Sequence, residues 1–488
     1  AAGAAIGGFA VISGLIVLVL AVLELVLAYG FWTLQPWAWQ LGVILSAVNI
    51  LIQILGVLGI VFSSDLGGAL ISIIISGVII YYLNQAEILI INTCGFISPA
   101  REEAHQAIEQ GLLWKSQKGD RLLVVVGCYV ERAPDYLQVR YPRVDIWSGV
   151  SSFDRIDEII EKKKDFSGQG TFLLDHRTPR VITTGPHWAY VKISEGCSHR
   201  CAFCSIPLIK GPYKSRTVDS VVQEVRNLSA LGIKEINLIS HDTTYFGRDR
   251  KKPGSLVLLL KKLLAVKGIE WIRLLYGYPE EVDDSLLEIM LETKICRYLD
   301  LPFQHSSRQV LQAMGRGLDG TRALRLLEKI RKKVPGVVIR SSLIVGFPAE
   351  GKKEFRELQA FVARARFEHL GVFCYSSEIG TPAARLGDPV PETEKKRRQQ
   401  AIMRQQKEIS REFYRTFLGQ KLEVITEAPL PDRPGFLAAR ARFQAPEVDG
   451  RVLVELSPEL RGKSLPPFLS VVIERSLDYD LLGKVNHG

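Results

Sequence analysis

Cys197, Cys201 and Cys204 lie close together in the stretch EGCSHRCAFCSIP. Spaced C-x3-C-x2-C, three thiolates can each hold one iron of a [4Fe–4S] cube. Full ligation takes four cysteines, so one iron stays open. An open iron next to an electron source suits S-adenosylmethionine, whose amino and carboxylate groups can chelate there ahead of radical chemistry. The rival reading is a zinc site built from the same three cysteines and His199. Zinc sites usually pair cysteines as C-x2–4-C with a second pair further along, and no second pair follows here.

The elements that must position these cysteines read as an α/β fold. Trp188–Ser194 opens an alternation of strands and helices. Strand candidates are Ala189–Ile193, Glu235–Ile239, Trp271–Leu275, Tyr298–Leu301, Val337–Ile344 and His369–Phe373. Helical stretches such as Ser220–Leu231 and Gly320–Lys332 lie between them. This predicts a partial or complete βα barrel, with its chemistry at the C-terminal ends of the strands. Upstream, Glu87–Asn92 and Leu122–Gly127 read as buried strands around the helix Arg101–Gln117, an alternation typical of a parallel sheet. Thr393–Phe417 reads as a polar helix, and the last seventy or so residues as short strands forming a small β-barrel.

The motif GCSHRCAFCSIPLIKGPYKSR resembles the signature of the radical-SAM methylthiotransferases, specifically the RimO type. NTCGFI at Asn92–Ile97, SHDTTYFG at Ser240–Gly247, WIRLLYGYP at Trp271–Pro279, YLDLPFQHSS at Tyr298–Ser307 and IVGFP at Ile344–Pro348 agree with it. The resemblance covers about residues 86–485, including a tail similar to a TRAM domain. It implies a methylthio group added to the β-carbon of an aspartate in ribosomal protein S-twelve. A cluster on Cys197, Cys201 and Cys204 would reductively cleave S-adenosylmethionine, and the resulting radical would take hydrogen from that carbon. A second [4Fe–4S] cluster in the N-terminal domain would supply sulfur, and a second S-adenosylmethionine the methyl. Phe203 would pack near the adenine, while Ser240, Asp242, Arg340 and Gly346, placed at strand ends, would hold the cofactor. Implied partners are ribosomal protein S-twelve or the small ribosomal subunit, and a flavodoxin or ferredoxin as electron donor. The MiaB type, acting on a tRNA adenosine, is the alternative within the family.

The chain departs from the pattern at one important place. The second cluster should have three cysteines, of which Cys94 and Cys128 match two. Residues 1–84 contain no cysteine where the first belongs. The expected consequence is an enzyme that cleaves S-adenosylmethionine but is impaired in sulfur insertion. Cys296 and Cys374, the remaining thiols, read as small buried residues on barrel strands. His241 stands where the family more often has Gln, an exchange between two hydrogen-bonding side chains.

Charge and hydropathy divide the chain sharply. Its 488 residues carry 62 bases and 52 acids, yet residues 1–84 hold no Lys or Arg and only two acids, Glu24 and Asp65. Ile6–Tyr29, Trp37–Phe62 and Gly67–Leu83 are apolar runs of membrane-spanning length. The expectation is about three transmembrane helices over 1–84. They would be a foreign segment replacing the start of the first domain, or else an anchor holding a cytoplasmic catalytic body at a membrane. The start at Ala-Ala-Gly suggests an absent or processed terminus. The expected domains are therefore 1–84, apolar; 85–175, a truncated methylthiotransferase N-terminal domain; 185–418, radical-SAM; and 419–488, TRAM-like. The basic body suits work near RNA. Lys395–Arg398 (KKRR) reads as a solvated helix face, because Glu392 and Glu394 lie beside it. This composition excludes a disordered chain and a disulfide-framed miniprotein.

Overall fold

The computed structural model describes residues 87–162, 172–251 and 255–486, which fall into two compact units. The first carries a three-stranded parallel sheet in the order β1 (Ile88–Thr93), β2 (Leu122–Gly127), β3 (Ile146–Ser148). Every residue of the central strand LLVVVG is buried, as an apolar run covered on both faces requires. Ile108 of the helix Ser98–Ser116 joins Leu123 and Val125 on one face, and Ile159 joins Val124 and Val126 on the other. β1 differs from the buried strand expected: Ile88 and Ile90 are 45% and 46% exposed, so only one of its faces is covered.

The second unit holds a six-stranded, all-parallel sheet. Its strands, each beside the next in the chain, are β4 (Trp188–Lys192), β7 (Glu235–Ile239), β8 (Trp271–Leu274), β9 (Ile295–Asp300), β10 (Val338–Val345) and β11 (His369–Cys374). A short antiparallel pair, β5 (Ser194–Glu195) and β6 (Lys214–Ser215), brackets the cysteine loop. β4 and β11 are the two edges of the sheet, so the barrel is partial. Strand alternation sorts the side chains. Ile236, Leu238, Ile272, Leu274, Leu299, Ile339 and Leu343 join the core beneath the helices. Asn237, Arg273 and Tyr298, all buried, and the half-buried Arg340 occupy the opposite, inward face, so polar groups sit on the concave side alongside Trp188, Trp271 and Val338.

Five strands, β12 (Lys421–Pro429), β13 (Phe436–Ala441), β14 (Val452–Glu455), β15 (Phe468–Ser476) and β16 (Leu481–Val485), close into a barrel in the order β12-β13-β14-β16-β15. It lies against the N-terminal ends of the parallel strands. Ile425 and Ala445 share a cluster with Trp188, Trp271, Cys296 and Val338. Arg440 reaches Glu235 with Nη2 2.5 Å from Oε2, beside Arg273 at 3.0 Å, all three side chains being buried.

Two expectations are corrected here. Among the described residues no helix is long and apolar enough to cross a membrane. The three expected transmembrane helices fall within 1–84, which lies outside the described residues. KKRR is also not a uniformly solvated face. On the helix Glu392–Arg415, Lys395 and Arg398 are 2% and 5% exposed. Lys395 donates to the Tyr375 carbonyl and pairs with Asp388, and Arg398 pairs with Glu350 at 2.6 Å.

Candidate metal centre

The cysteine loop leaves β5 at Gly196, whose φ of +75° admits a turn that side chains resist. A Cβ there would stand 2.3 Å from the Pro212 carbonyl oxygen, so the loop and the segment returning to β6 touch through backbone. Cys197 N–H donates to the Gly211 carbonyl at 3.1 Å, and Cys204 N–H to the Cys201 carbonyl at 3.1 Å. Cys197 is buried, while Cys201 and Cys204 are half-buried. Burial raises the thiol pKa of Cys197 and pushes Cys204 up to about 11, and the neighbouring cysteines add to both rises. Thiols in such surroundings hold their protons until a metal displaces them.

The donor set fits an iron–sulfur cube better than a single ion. Among the described residues, no three His, Cys, Asp or Glu side chains converge on one metal position. A cube asks for no such convergence, because each thiolate binds its own iron corner. His199 is not directed to the cysteines as the zinc reading required. Its Nε2 lies 2.5 Å from Asp242 Oδ2, and its ring stacks on Tyr278 at 3.9 Å.

A residue unmarked by the sequence reading, Arg316, stands next to the loop. Its Nη1 is 3.8 Å from Cys201 Sγ and its Nη2 donates to the Pro302 carbonyl at 2.8 Å. The signal was a glycine-flanked arginine in AMGRG, visible but without a stated role.

The other expected site residues separate into groups. Phe203 is half-buried against the cluster containing Met314 and Phe347. Ser240, one residue past β7, lies 2.5 Å from the Ser194 hydroxyl and accepts the Asp242 N–H at 3.1 Å. Asp242 is 1% exposed and already engaged. Besides His199, it accepts from the Thr244 hydroxyl at 2.5 Å and from the Tyr245 N–H at 3.2 Å. Gly346, just beyond β10 with φ +75°, donates to Glu350 Oε2 at 3.0 Å, and a Cβ on it would meet Lys395 Cγ at 2.3 Å. Arg340 is a correction. It lies near the start of β10, not its end, and its Nη1 is 2.7 Å from Asp449 of the C-terminal barrel. Its guanidinium is turned to a fully buried carboxylate and lies level with Asp300 of β9.

In the first unit, Cys94 follows β1 and Cys128 follows β2, immediately past the paired residues Thr93 and Gly127. Two thiols are thereby brought to the same C-terminal sheet edge. Gly127 takes φ +113°, and a Cβ there would be 2.4 Å from the Thr93 carbonyl oxygen, so the strand ends approach through backbone. Cys296 is buried among aromatic residues, and Cys374 has its thiol 3.7 Å from Gln399 Oε1.

Comparison with known proteins agrees with this arrangement. Residues 191–362 match the radical SAM superfamily, 418–485 the TRAM domain, and 77–149 the uncharacterized protein family UPF0004. The chain is 40% identical over 408 residues to the ribosomal protein uS12 methylthiotransferase RimO of Geotalea uraniireducens, covering 82% of this chain and 90% of that one. The enzyme of the same name from Caldicellulosiruptor saccharolyticus is 41% identical over 410 residues, covering 82% and 91%. Among solved structures, the radical S-adenosylmethionine methyltransferase TsrM from Kitasatospora setae is a loose likeness, at TM-score 0.46 and 14% identity over 60% of this chain and 63% of that one. Iron–sulfur clusters of the [4Fe–4S] type and S-adenosylmethionine are the cofactors this membership carries. By sequence and by its three-cysteine loop, the chain belongs to the RimO family of radical-SAM methylthiotransferases.

Proposed function

We propose that this chain adds a methylthio group to the β-carbon of an aspartate in ribosomal protein uS12. The observation that carries the reading is the three-cysteine loop, with Cys197 buried and Cys201 and Cys204 half-buried, at the C-terminal end of a partial parallel barrel. Relatives that share about 40% identity are named ribosomal protein uS12 methylthiotransferases. When bound, the iron–sulfur clusters and S-adenosylmethionine supply the electron, the hydrogen-abstracting radical, the sulfur and the methyl.

The chain's own residues hold, orient and shield. Cys197, Cys201 and Cys204 hold the radical-SAM cluster, and Cys94 and Cys128 hold the sulfur-donating one. Phe203, Ser240 and Gly346 line the cofactor end of the barrel. Asp242 acts at one remove, by fixing His199 within the loop. A one-electron donor of the flavodoxin or ferredoxin class serves the centre, and work on a ribosomal protein places the catalytic body in the cytoplasm. The domains 85–175, 185–418 and 419–488 divide these tasks.

A second reading has one observation behind it. Only two cysteines, Cys94 and Cys128, lie outside the barrel, fewer than the usual ligand set. On that reading the chain cleaves S-adenosylmethionine without inserting sulfur. The test is an anaerobic incubation of the reconstituted chain with S-adenosylmethionine, a strong reductant, and either a uS12-derived peptide or tRNA. Methylthiolated peptide supports the proposal. 5′-Deoxyadenosine without it supports the second reading, and methylthiolated tRNA contradicts the choice of substrate.

A further inference from the structure

The turn Ala313–Arg316 is built against the cysteine loop through backbone. Ala202 N–H donates to the Met314 carbonyl at 2.8 Å. Gly315 takes φ +71°, and a Cβ on it would stand 2.8 Å from the Arg200 carbonyl oxygen. Only glycine allows that approach, and the next residue, Arg316, is thereby delivered to the cysteines.

Its guanidinium is then fixed by planes. It lies 4.0 Å from the centroid of the Tyr278 ring, and His199 stacks on that ring at 3.9 Å with an interplanar angle of 6°. Two groups that close to one centroid cannot share a face, so Tyr278 is sandwiched between His199 and Arg316. The stack runs from the Asp242 carboxylate to the Cys201 thiol. Arg316 is 8% exposed, and among the described residues no carboxylate lies within ion-pair distance of it. A buried cation without an anionic partner is costly. Three thiolates on an iron–sulfur cube supply net negative charge at that point, and more after one electron is added.

We propose that Arg316 is a positioning residue that sets the reduction potential of the cluster on Cys197, Cys201 and Cys204, with Tyr278 holding its plane. The inference rests on the radical-SAM reading. A fixed positive charge favours the more negative, reduced cluster, and the electron comes from an external one-electron donor. Cluster potentials respond to such charges and to hydrogen bonds on sulfur.

The test uses the full chain carrying Cys94→Ala and Cys128→Ala, so that one cluster gives the signal. It is reconstituted anaerobically and titrated with dithionite under electron paramagnetic resonance. Arg316→Gln is expected to keep its iron and shift the midpoint downward by at least about 60 mV, a tenfold change in the one-electron equilibrium. Arg316→Lys, which keeps the charge, shifts it less. Tyr278→Leu, which frees the guanidinium, also lowers it, and decides the matter if Arg316→Gln fails to load iron. Unchanged midpoints in the loaded variants would overturn the proposal. Absence of any cluster in the parent chain would instead overturn the radical-SAM reading on which it rests.

Discussion

Arg340 Nη1 lies 2.7 Å from Asp449 Oδ1, joining the polar interior of the parallel barrel to the C-terminal barrel. Tyr298 donates its hydroxyl to the other Asp449 oxygen at 2.7 Å, and the Ala445 N–H donates to that same oxygen at 2.8 Å. Despite full burial, Asp449 keeps its pKa below the ordinary carboxylate value, because the His369 ring and Arg340 oppose the desolvation. The C-terminal domain therefore closes one end of the barrel with a satisfied charge. Removing one partner of a buried pair leaves the other uncompensated, at about 3–5 kcal/mol. Asp449→Ala should lose that much stability in urea unfolding, and Arg340→Met with Asp449→Leu should recover most of it. Equal losses in the single and double variants would show that the pair does not join the domains.

Within KKRR the structure separates neighbours that look alike in sequence. Arg398 donates to both the carbonyl and the carboxylate of Glu350, at 2.9 and 2.6 Å. Glu350 in turn holds the Gly346 N–H and faces the buried His305 at 3.3 Å. Among the described residues, Arg397 pairs with Glu394 alone, at the surface. Arg398→Met should destabilise by about 3 kcal/mol through the orphaned Glu350. Arg397→Met should leave the thermal midpoint unchanged within error. Similar midpoints for the two variants would remove Arg398 from the account of the Gly346 turn.

Asp300, at the end of β9, should give the barrel a pH-dependent weakness. Burial pushes its carboxyl up to about 6, although Arg340 and the Tyr276 N–H, 3.1 Å from Oδ2, work the other way. Between its unfolded value near 3.8 and about 6, the folded chain binds more protons than the unfolded chain. Stability from this group is therefore full below the lower value and lost as pH rises through the upper one. Relative to Asp300→Asn, the native chain should lose up to about 3 kcal/mol between pH 4 and pH 7. Parallel stability curves for the two would show that Asp300 is ionised throughout.

Much of this was legible in residue order because the information was local. The C-x3-C-x2-C spacing fixes a loop, and the alternating strands from Trp188 to Cys374 carry their inward and outward faces in a two-residue period. Cys94 and Cys128 were singled out by their resemblance to family motifs, and the parallel pairing of β1 with β2 puts both just past the strand ends. What was misread depended on distant partners. Arg340 was assigned to a strand end, yet its role comes from Asp449 in another domain. Lys395 and Arg398 looked solvated beside Glu392 and Glu394, because Tyr375 and Glu350 meet them only after folding. Arg316 escaped notice for the same reason. Its contact with Cys201 spans the barrel's crossover connections, and no charge pattern nearby announces it.

The most direct measurement compares three anaerobically reconstituted chains with S-adenosylmethionine, dithionite and a uS12-derived peptide: the native chain, Cys201→Ala, and Cys94→Ala with Cys128→Ala. Mass spectrometry follows 5′-deoxyadenosine and the methylthiolated peptide. The account predicts both products from the native chain and neither from Cys201→Ala. The double variant should give 5′-deoxyadenosine alone. Undiminished 5′-deoxyadenosine from Cys201→Ala, or undiminished methylthiolation without Cys94 and Cys128, would contradict it.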